Sequence, residues 1–406
     1  MLRVDGERLL TDLTALGAIG SGPGPGAGVT RLGYTAAEQA AHDWAAARLA
    51  ALGLAVRTDA AGNLIARLPG REEGLPALAC GSHLDTVIDG GPFDGALGVA
   101  AAIACARALR GALRHPLEVL VFRCEEAVYA GGTLGSRAMA GLWQPEQLGD
   151  PALAAGAATL ADLLCAAGLD PAAVPRAERR RGELAAFLEL HIEQGGVLEQ
   201  AGESLGAVAG IVAIRRYRAR FSGQANHAGT TPMGMRRDAL VPAARFVLAV
   251  EGAATRAGRG AVGTVGVLAV RPGAGNVIPG QVELGFELRC LDEEVLDELE
   301  RTLLSEAQRL GATVTGVAAE GHVDCDPALL AAVGRAASAL GRRWRTMPSG
   351  AGHDAKSLAH ICPVAMLFVP SRGGISHNPA EYTAPEHCVL GADALLGALL
   401  DLDARL

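Results

Sequence analysis

His83, Asp85 and Asp94 stand together in HLDTVIDGGPFDG, residues 83–95, between the apolar runs LPALACGS and LGVAAAIACA. Buried charge is costly unless something compensates it. Imidazole and carboxylate in one turn are the donor types a divalent cation takes. The same arrangement recurs three times. Glu125 and Glu126 follow LEVLVFRC, His191 follows LAAFLEL, and His377 follows VAMLFVP within GGISHNPAE. One such coincidence means little. Four strand-like runs, each followed by a ligand-type residue, point to a metal site at the carboxyl edge of a sheet, where open α/β sheets bind ligands. The donors include no thiolate, which suits Zn²⁺, Mn²⁺, Co²⁺ or Ni²⁺ with open positions, the catalytic kind of site. Three histidines and two or three carboxylates are too many for one catalytic ion. They suit two divalent metal ions about 3.5–4 Å apart sharing one carboxylate.

The elements that must carry these residues read as α/β. Each apolar run is too short for an independent helix and fits a strand buried on both faces. Helical patterns over 5–17 and 35–53 precede them, and the stretch 20–33, GSGPGPGAGVTRLG, is a loop. That loop lacks a phosphate-loop ending. The middle of the chain differs. In IRRYRARF (214–221), Arg216, Arg218 and Arg220 alternate with Tyr217, Ala219 and Phe221, as on a half-exposed antiparallel strand. A helix over 238–251, strands over 262–270 and 281–290, a helix over 292–310 and a strand over 311–318 follow. The order β-α-β-β-α-β is a ferredoxin-like unit. The expected organisation is a mostly parallel α/β catalytic metal-binding domain, residues 1–208 and 325–406, with an inserted ferredoxin-like α+β domain over 209–324.

Composition narrows the classes. The chain has 406 residues, half of them hydrophobic, and a net charge of −8. With no basic run, it is not expected to bind nucleic acid. No apolar stretch approaches the roughly 18 residues of a membrane helix, and MLRVDGERLL lacks the pattern of a signal peptide. Eight cysteines are scattered without a CxxC pair, as expected of buried thiols in a reducing compartment. We expect a cytoplasmic protein.

With those residues in view, the chain resembles the M20-type metal-dependent amidases, in particular the hydantoinase/carbamoylase branch of N-carbamoyl-L-amino acid hydrolases and allantoate amidohydrolases. VTRLGYT (29–35), GSHLDTVIDGG (81–91), DGALGV (94–99), LGSRAMAG (134–141), LELHIEQG (188–195), ANHAGTTPM (225–233), NVIPG (276–280), SGAGHDA (349–355) and FVPSRGGISHNPAE (368–381) carry the resemblance in this order. It implies that His83, Asp94 and His191 hold one metal, and Asp94, Glu126 and His377 the other. Related peptidases have an acid where His191 stands. Asp85 would orient His83 through its second ring nitrogen, and Glu125 would be the general base. His227 would reach the active site of the other subunit and stabilise the oxyanion. Asn276 and Arg289 would bind substrate, Arg289 clasping a carboxylate. Gln194 and the 349–353 loop, with Ser349 and Gly350, would contact the ureido group. His353 has two readings, a supporting or a purely structural residue. The insert would be lid and dimer interface.

Two departures stand out. After the Glu pair the family carries Arg-Phe within a few residues, whereas this chain has Val128, Tyr129 and glycines. Glu287 stands in FELR where Asp is more usual. The expected reaction is hydrolysis of an N-carbamoyl-L-amino acid to ammonia, carbon dioxide and the amino acid. Allantoate or another ureido acid, an N-acyl amino acid or dipeptide, and a non-catalytic binding role are the alternatives, in that order.

Overall fold

The computed structural model describes residues 2–24, 26–126, 132–149 and 158–406. Val128 and Tyr129 therefore lie outside the described residues. The chain divides into two compact units: Met1–Ala209 with Cys325–Leu406, and Gly210–Asp324.

The first unit is built on a mixed sheet. Its centre is four strands: β1 (Ala77–His83), β2 (Leu117–Phe122), β3 (Leu184–Ile192) and β4 (Val364–Val369). They lie in the order β2-β1-β3-β4 and pair in parallel. Nearly every residue of these strands is buried, which explains their continuous apolar runs: helices cover both faces of a parallel sheet. Phe122, Phe187 and Phe368 are fully buried, each contributing about 2–3 kcal/mol by removal from water. The flanking strands Leu64–Leu68 and Leu205–Ile211 run antiparallel to β2 and β4. They were not read from the sequence.

Three helices place the loops of the sheet edge. α1 (Gly6–Ala18) is capped by Asp5, whose side chain accepts from the Arg8 N–H. α2 (Ala36–Ala51) is capped by Thr35. α3 (Ala96–Ala108), an alanine-rich helix, is buried along most of its length. Its small side chains let it sit close to the sheet. Gly95, at φ 64°, begins it, and a Cβ there would run into the His83 ring. Only glycine fits both conditions. Among the described residues, no helix is long and apolar enough to cross a membrane.

The second unit is a four-stranded antiparallel sheet in the order Ala312–Glu320, Ala213–Ser222, Gln281–Cys290, Val262–Arg271. Helices Leu240–Ala257 and Glu293–Arg309 pack on it, giving β-α-β-β-α-β. Tyr217, Phe221, Phe246 and Phe286 form its core. On the alternate positions Arg216 meets Glu287 at 2.8 Å and Arg218 meets Glu283 at 3.2 Å. These arginines belong to a cross-strand charge ladder.

Candidate active site

Chain order and sheet order diverge at β1. The chain runs from β1 to β2 on one side, then crosses to β3 and β4 on the other. The crevice between the ends of β1 and β3 is the switch point where such sheets bind ligands. His83 ends β1 and His191 stands near the end of β3, their rings 5.8 Å apart. Asp94 lies just ahead of α3, and Glu125 and Glu126 follow β2. His377 comes from the loop after β4.

These residues converge. His83 Nε2 lies 3.5 Å and His191 Nε2 3.1 Å from Asp94 Oδ1. His377 Nε2 lies 3.4 Å from both Asp94 Oδ2 and Glu126 Oε1. Two triads therefore each bring three ligand atoms within 4.8 Å of one another: His83, Asp94 and His191, and Asp94, Glu126 and His377. Asp94 belongs to both. A third group, Glu189, His191 and His353, meets the same distance limit. Its donors are engaged: Glu189 accepts from Ser82 Oγ at 2.7 Å and the Ala355 N–H at 3.0 Å, and His353 Nε2 lies 2.8 Å from Ser349 Oγ.

The histidines are oriented for ligation. Nδ1 of His83 lies 3.1 Å from the Asp85 carbonyl and Nδ1 of His191 2.9 Å from that of Ile192. Donation there fixes each ring with Nε2 on the Asp94 side, where it would be free to ligate a cation that displaces its proton. Asp85 also takes the backbone N–H groups of Glu125 and Glu126, at 3.0 and 2.9 Å. Glu125 Oε2 lies 3.9 Å from His83 Nε2. Gln194 donates Nε2 to Asp94 Oδ2 at 2.8 Å, and its buried Oε1 has no hydrogen-bond partner. The Ser349 hydroxyl is occupied by His353 and the 351 backbone. His353 packs edge-on against His191, ring centroids 4.6 Å apart, and Gly350 is exposed.

Burial and mutual repulsion dominate the electrostatics of this cluster. Burial pushes Glu125 well above the usual carboxylate range, and Glu126 and Asp354 push it further. Burial and Asp94 lift Glu126 to about 8. Burial opposes charge on His83, yet Glu125, Asp85 and Asp94 hold it well above the ordinary imidazole value. A hydrogen bond to Asp94 raises His377 to about 9 against burial. Protons alone leave these acids crowded together. Divalent cations between them would relieve that crowding, so the donor set and its geometry fit a metal centre.

Several contributors escaped the sequence reading. Glu38 is wholly buried and accepts from the Tyr34 N–H at 2.6 Å, the Cys124 N–H at 3.0 Å and Arg123 Nη1 at 2.6 Å. It thereby fixes the chain just before the Glu pair. Thr35-x-x-Glu38 reads as a helix start, and nothing in it foretells that reach. Arg31, also wholly buried, donates Nε to the Leu84 carbonyl at 2.7 Å, anchoring the turn after His83. Cys124, Gln194 and His377 adopt left-handed backbone at φ 51°, 59° and 55°, a conformation uncommon for non-glycine residues.

In the second unit, Asn226–His227 pairs with Val277–Ile278. This sets exposed His227 beside exposed Asn276, whose carbonyl accepts the Ala228 N–H at 2.9 Å. The Gly229 and Thr230 N–H groups donate to His227 Nδ1 at 3.0 and 3.2 Å. The remaining proton is therefore on Nε2. Arg289 is not part of this group. It lies toward the other end of Gln281–Cys290, with Nε on Glu287 at 2.7 Å.

A parallel-centred α/β unit whose sheet edge gathers three histidines and a set of buried carboxylates is the frame of a metal-dependent hydrolase. The chain belongs to peptidase family M20/M25/M40, which it matches over residues 79–401. Within that family its relatives are amidases of the hydantoinase/carbamoylase type. It is 42% identical to an N-carbamoyl-L-amino acid amidohydrolase of Geobacillus stearothermophilus, covering 97% of each chain. It is 34% identical to an allantoate amidohydrolase of Bacillus subtilis, over 92% of this chain and 93% of the other. The crystal structure of a hydantoinase/carbamoylase family amidase from Burkholderia multivorans superposes with a TM-score of 0.89 at 34% identity, covering 98% of both chains. The protein is an amidohydrolase of linear carbon–nitrogen bonds.

Proposed function

We propose that this enzyme hydrolyses the ureido bond of an N-carbamoyl-L-α-amino acid, releasing ammonia, carbon dioxide and the amino acid. The observation that carries the reading is Asp94, shared between two histidine-carboxylate triads with Glu125 beside them. His83, Asp94 and His191 hold one divalent ion, and Asp94, Glu126 and His377 the other. Zn²⁺, Mn²⁺, Co²⁺ and Ni²⁺ all suit this donor set. Bound ions supply Lewis-acid polarisation of the ureido carbonyl and acidify the attacking water. Glu125 takes the proton of that water and returns it to the departing nitrogen. Gln194, its amide turned by Asp94, offers the unpartnered Oε1 to a ureido N–H. Ser349 and Gly350 border the same group, while Ser349 through His353 steadies His191.

The second unit supplies the rest. His227, with its proton on Nε2, donates to the oxyanion in the active site of a second copy. Asn276 and Arg289 bind the substrate, Arg289 through its carboxylate. A homodimer is supported by the two outer strands of this unit, which expose Val262, Val267, Leu268 and Val317. An exposed apolar sheet edge is a surface for pairing. A cytoplasmic setting is supported by eight free cysteines, of which only Cys165 is exposed.

Allantoate is the second reading, favoured by the 34% identical Bacillus subtilis enzyme, because a ureido acid needs the same groups. Ammonia release from metal-reconstituted protein separates the two. N-carbamoyl-L-amino acids of varied side chain, allantoate, N-acetyl amino acids and dipeptides are compared, with freed amine measured for the last two. Turnover of a carbamoyl amino acid is expected. Turnover of acetyl or peptide substrates alone overturns both readings.

A further inference from the structure

Glu381 lies four residues beyond His377, is buried, and belongs to neither metal triad. Its contacts nevertheless join the two loops that meet at Asp94. Oε1 accepts the backbone N–H of Phe93 at 2.9 Å and of Asp94 at 3.1 Å. Oε2 accepts from the Ser376 hydroxyl at 2.9 Å, and that hydroxyl also lies 3.1 Å from Asp94 Oδ2. One carboxylate thus grips the backbone of the Asp94 turn. Ser376, the residue next to His377, stands between this carboxylate and the Asp94 side chain, its single hydroxyl proton within reach of either.

Neither loop has a sheet ladder at this point. His377 is in left-handed backbone, and Asp94 sits in the turn ahead of α3. Without Glu381 the Phe93 and Asp94 N–H groups would be left without this acceptor. Gly91 makes the approach possible: a Cβ at this position would collide with the Glu381 carboxyl. The edge-on contact of Phe93 with Tyr382, ring centroids 6.0 Å apart, closes the same seam.

We infer that Glu381, acting through Ser376, is a positioning residue that holds Asp94 and His377 in register for the ion they share. This rests on the metal assignment proposed above. Outer groups of this kind typically govern metal affinity by about 10–100-fold.

The test is a Co²⁺ titration of metal-stripped full-length protein, followed by calorimetry and visible absorption, with the melting temperature of the metal-free protein measured alongside. Wild type is expected to take up two ions and Glu126→Ala one. Glu381→Leu is expected to bind Co²⁺ at least about tenfold more weakly, with altered absorption bands. Glu381→Gln keeps the acceptor for both N–H groups and is expected to retain most of the affinity. Gly91→Ala, which displaces the carboxyl without altering it, is expected to weaken binding as Glu381→Leu does, and it decides the matter should the leucine variant not fold. A purely structural role would lower the melting temperature of the metal-free protein and leave Co²⁺ affinity unchanged. That result in the folded variants overturns the inference. Absence of Co²⁺ uptake by wild type overturns the metal assignment itself, and the inference with it.

Discussion

Asp85 holds Glu126 by its backbone: Oδ2 of the aspartate accepts the Glu126 N–H at 2.9 Å. The other oxygen accepts the Glu125 N–H at 3.0 Å and lies 3.4 Å from His83 Nδ1. One side chain after β1 therefore sets the proposed base and one proposed ligand after β2, and touches a second ligand. Replacing Asp85 with alanine is expected to lower kcat/KM by about 10–100-fold and to reduce bound metal. Asp85→Asn keeps one acceptor oxygen and should fall between. Metal analysis and kinetics on the two variants check this. Full activity in Asp85→Ala would show that the Glu pair holds its place unaided.

Glu125→Gln preserves shape and removes the base. The expected loss in kcat is about 10²–10⁴-fold, with metal content and melting temperature at wild-type values. A variant that keeps its metals and turns over as fast as wild type would remove Glu125 from the proton transfer.

The proposed second-copy role of His227 makes a complementation prediction. His227→Ala and Glu125→Gln homodimers should each be nearly inactive. Mixed, they should recover part of the activity, because each hybrid dimer carries one site with both residues intact. No recovery after demonstrated subunit exchange would place His227 in its own subunit's site or outside catalysis.

His42 offers a pH prediction away from the metal centre. It is wholly buried, and burial together with nearby Arg123 holds it well below the ordinary imidazole value. Glu38 Oε1 lies 4.0 Å from its Nε2, but that carboxylate already carries Arg123 and two backbone N–H groups. His42 is thus neutral in the fold. The unfolded chain protonates it near pH 6.5. Below that pH the unfolded state binds the extra proton, so stability falls as pH drops, by at most ~1.4 kcal/mol per unit from this group. In His42→Gln the slope between about pH 6.5 and 5 should be shallower by up to one proton. Equal slopes in denaturant titrations of both proteins would mean that His42 is charged in the fold.

Much of the site was legible because its donors follow buried strands. The runs LPALAC, LEVLVFRC, LAAFLEL and VAMLFVP can only be covered on both faces, and polar residues in the few positions after them fall at or beyond the sheet edge. Other members gave no comparable signal. Glu189 hides within the apolar run of β3, two residues before His191. Glu38 imitates an ordinary helix start, and Glu381 is one more acid in a loop. Each takes at least one backbone N–H from far away in the chain, Glu189 that of Ala355, Glu38 that of Cys124 and Glu381 those of Phe93 and Asp94, and no local pattern encodes such a partner. Arg289 lies toward the far end of its strand from His227 and Asn276 within the second unit, a separation that its sequence motif does not encode.

By itself, then, the sequence determined the donor types, the strand that carries each, and the ferredoxin-like order of the inserted segment. Burial periodicity and ligand chemistry are local properties, and a short window displays them. The tertiary structure alone decided that β1 lies between β2 and β3, which brings His83 beside His191 and places Asp94 between two triads. It also decided which buried carboxylates became anchors and which were left to crowd a metal centre. Strand order and the capture of distant N–H groups come from packing the whole chain at once. Only then is it settled which charges share one low-dielectric space and which backbone groups remain to satisfy them.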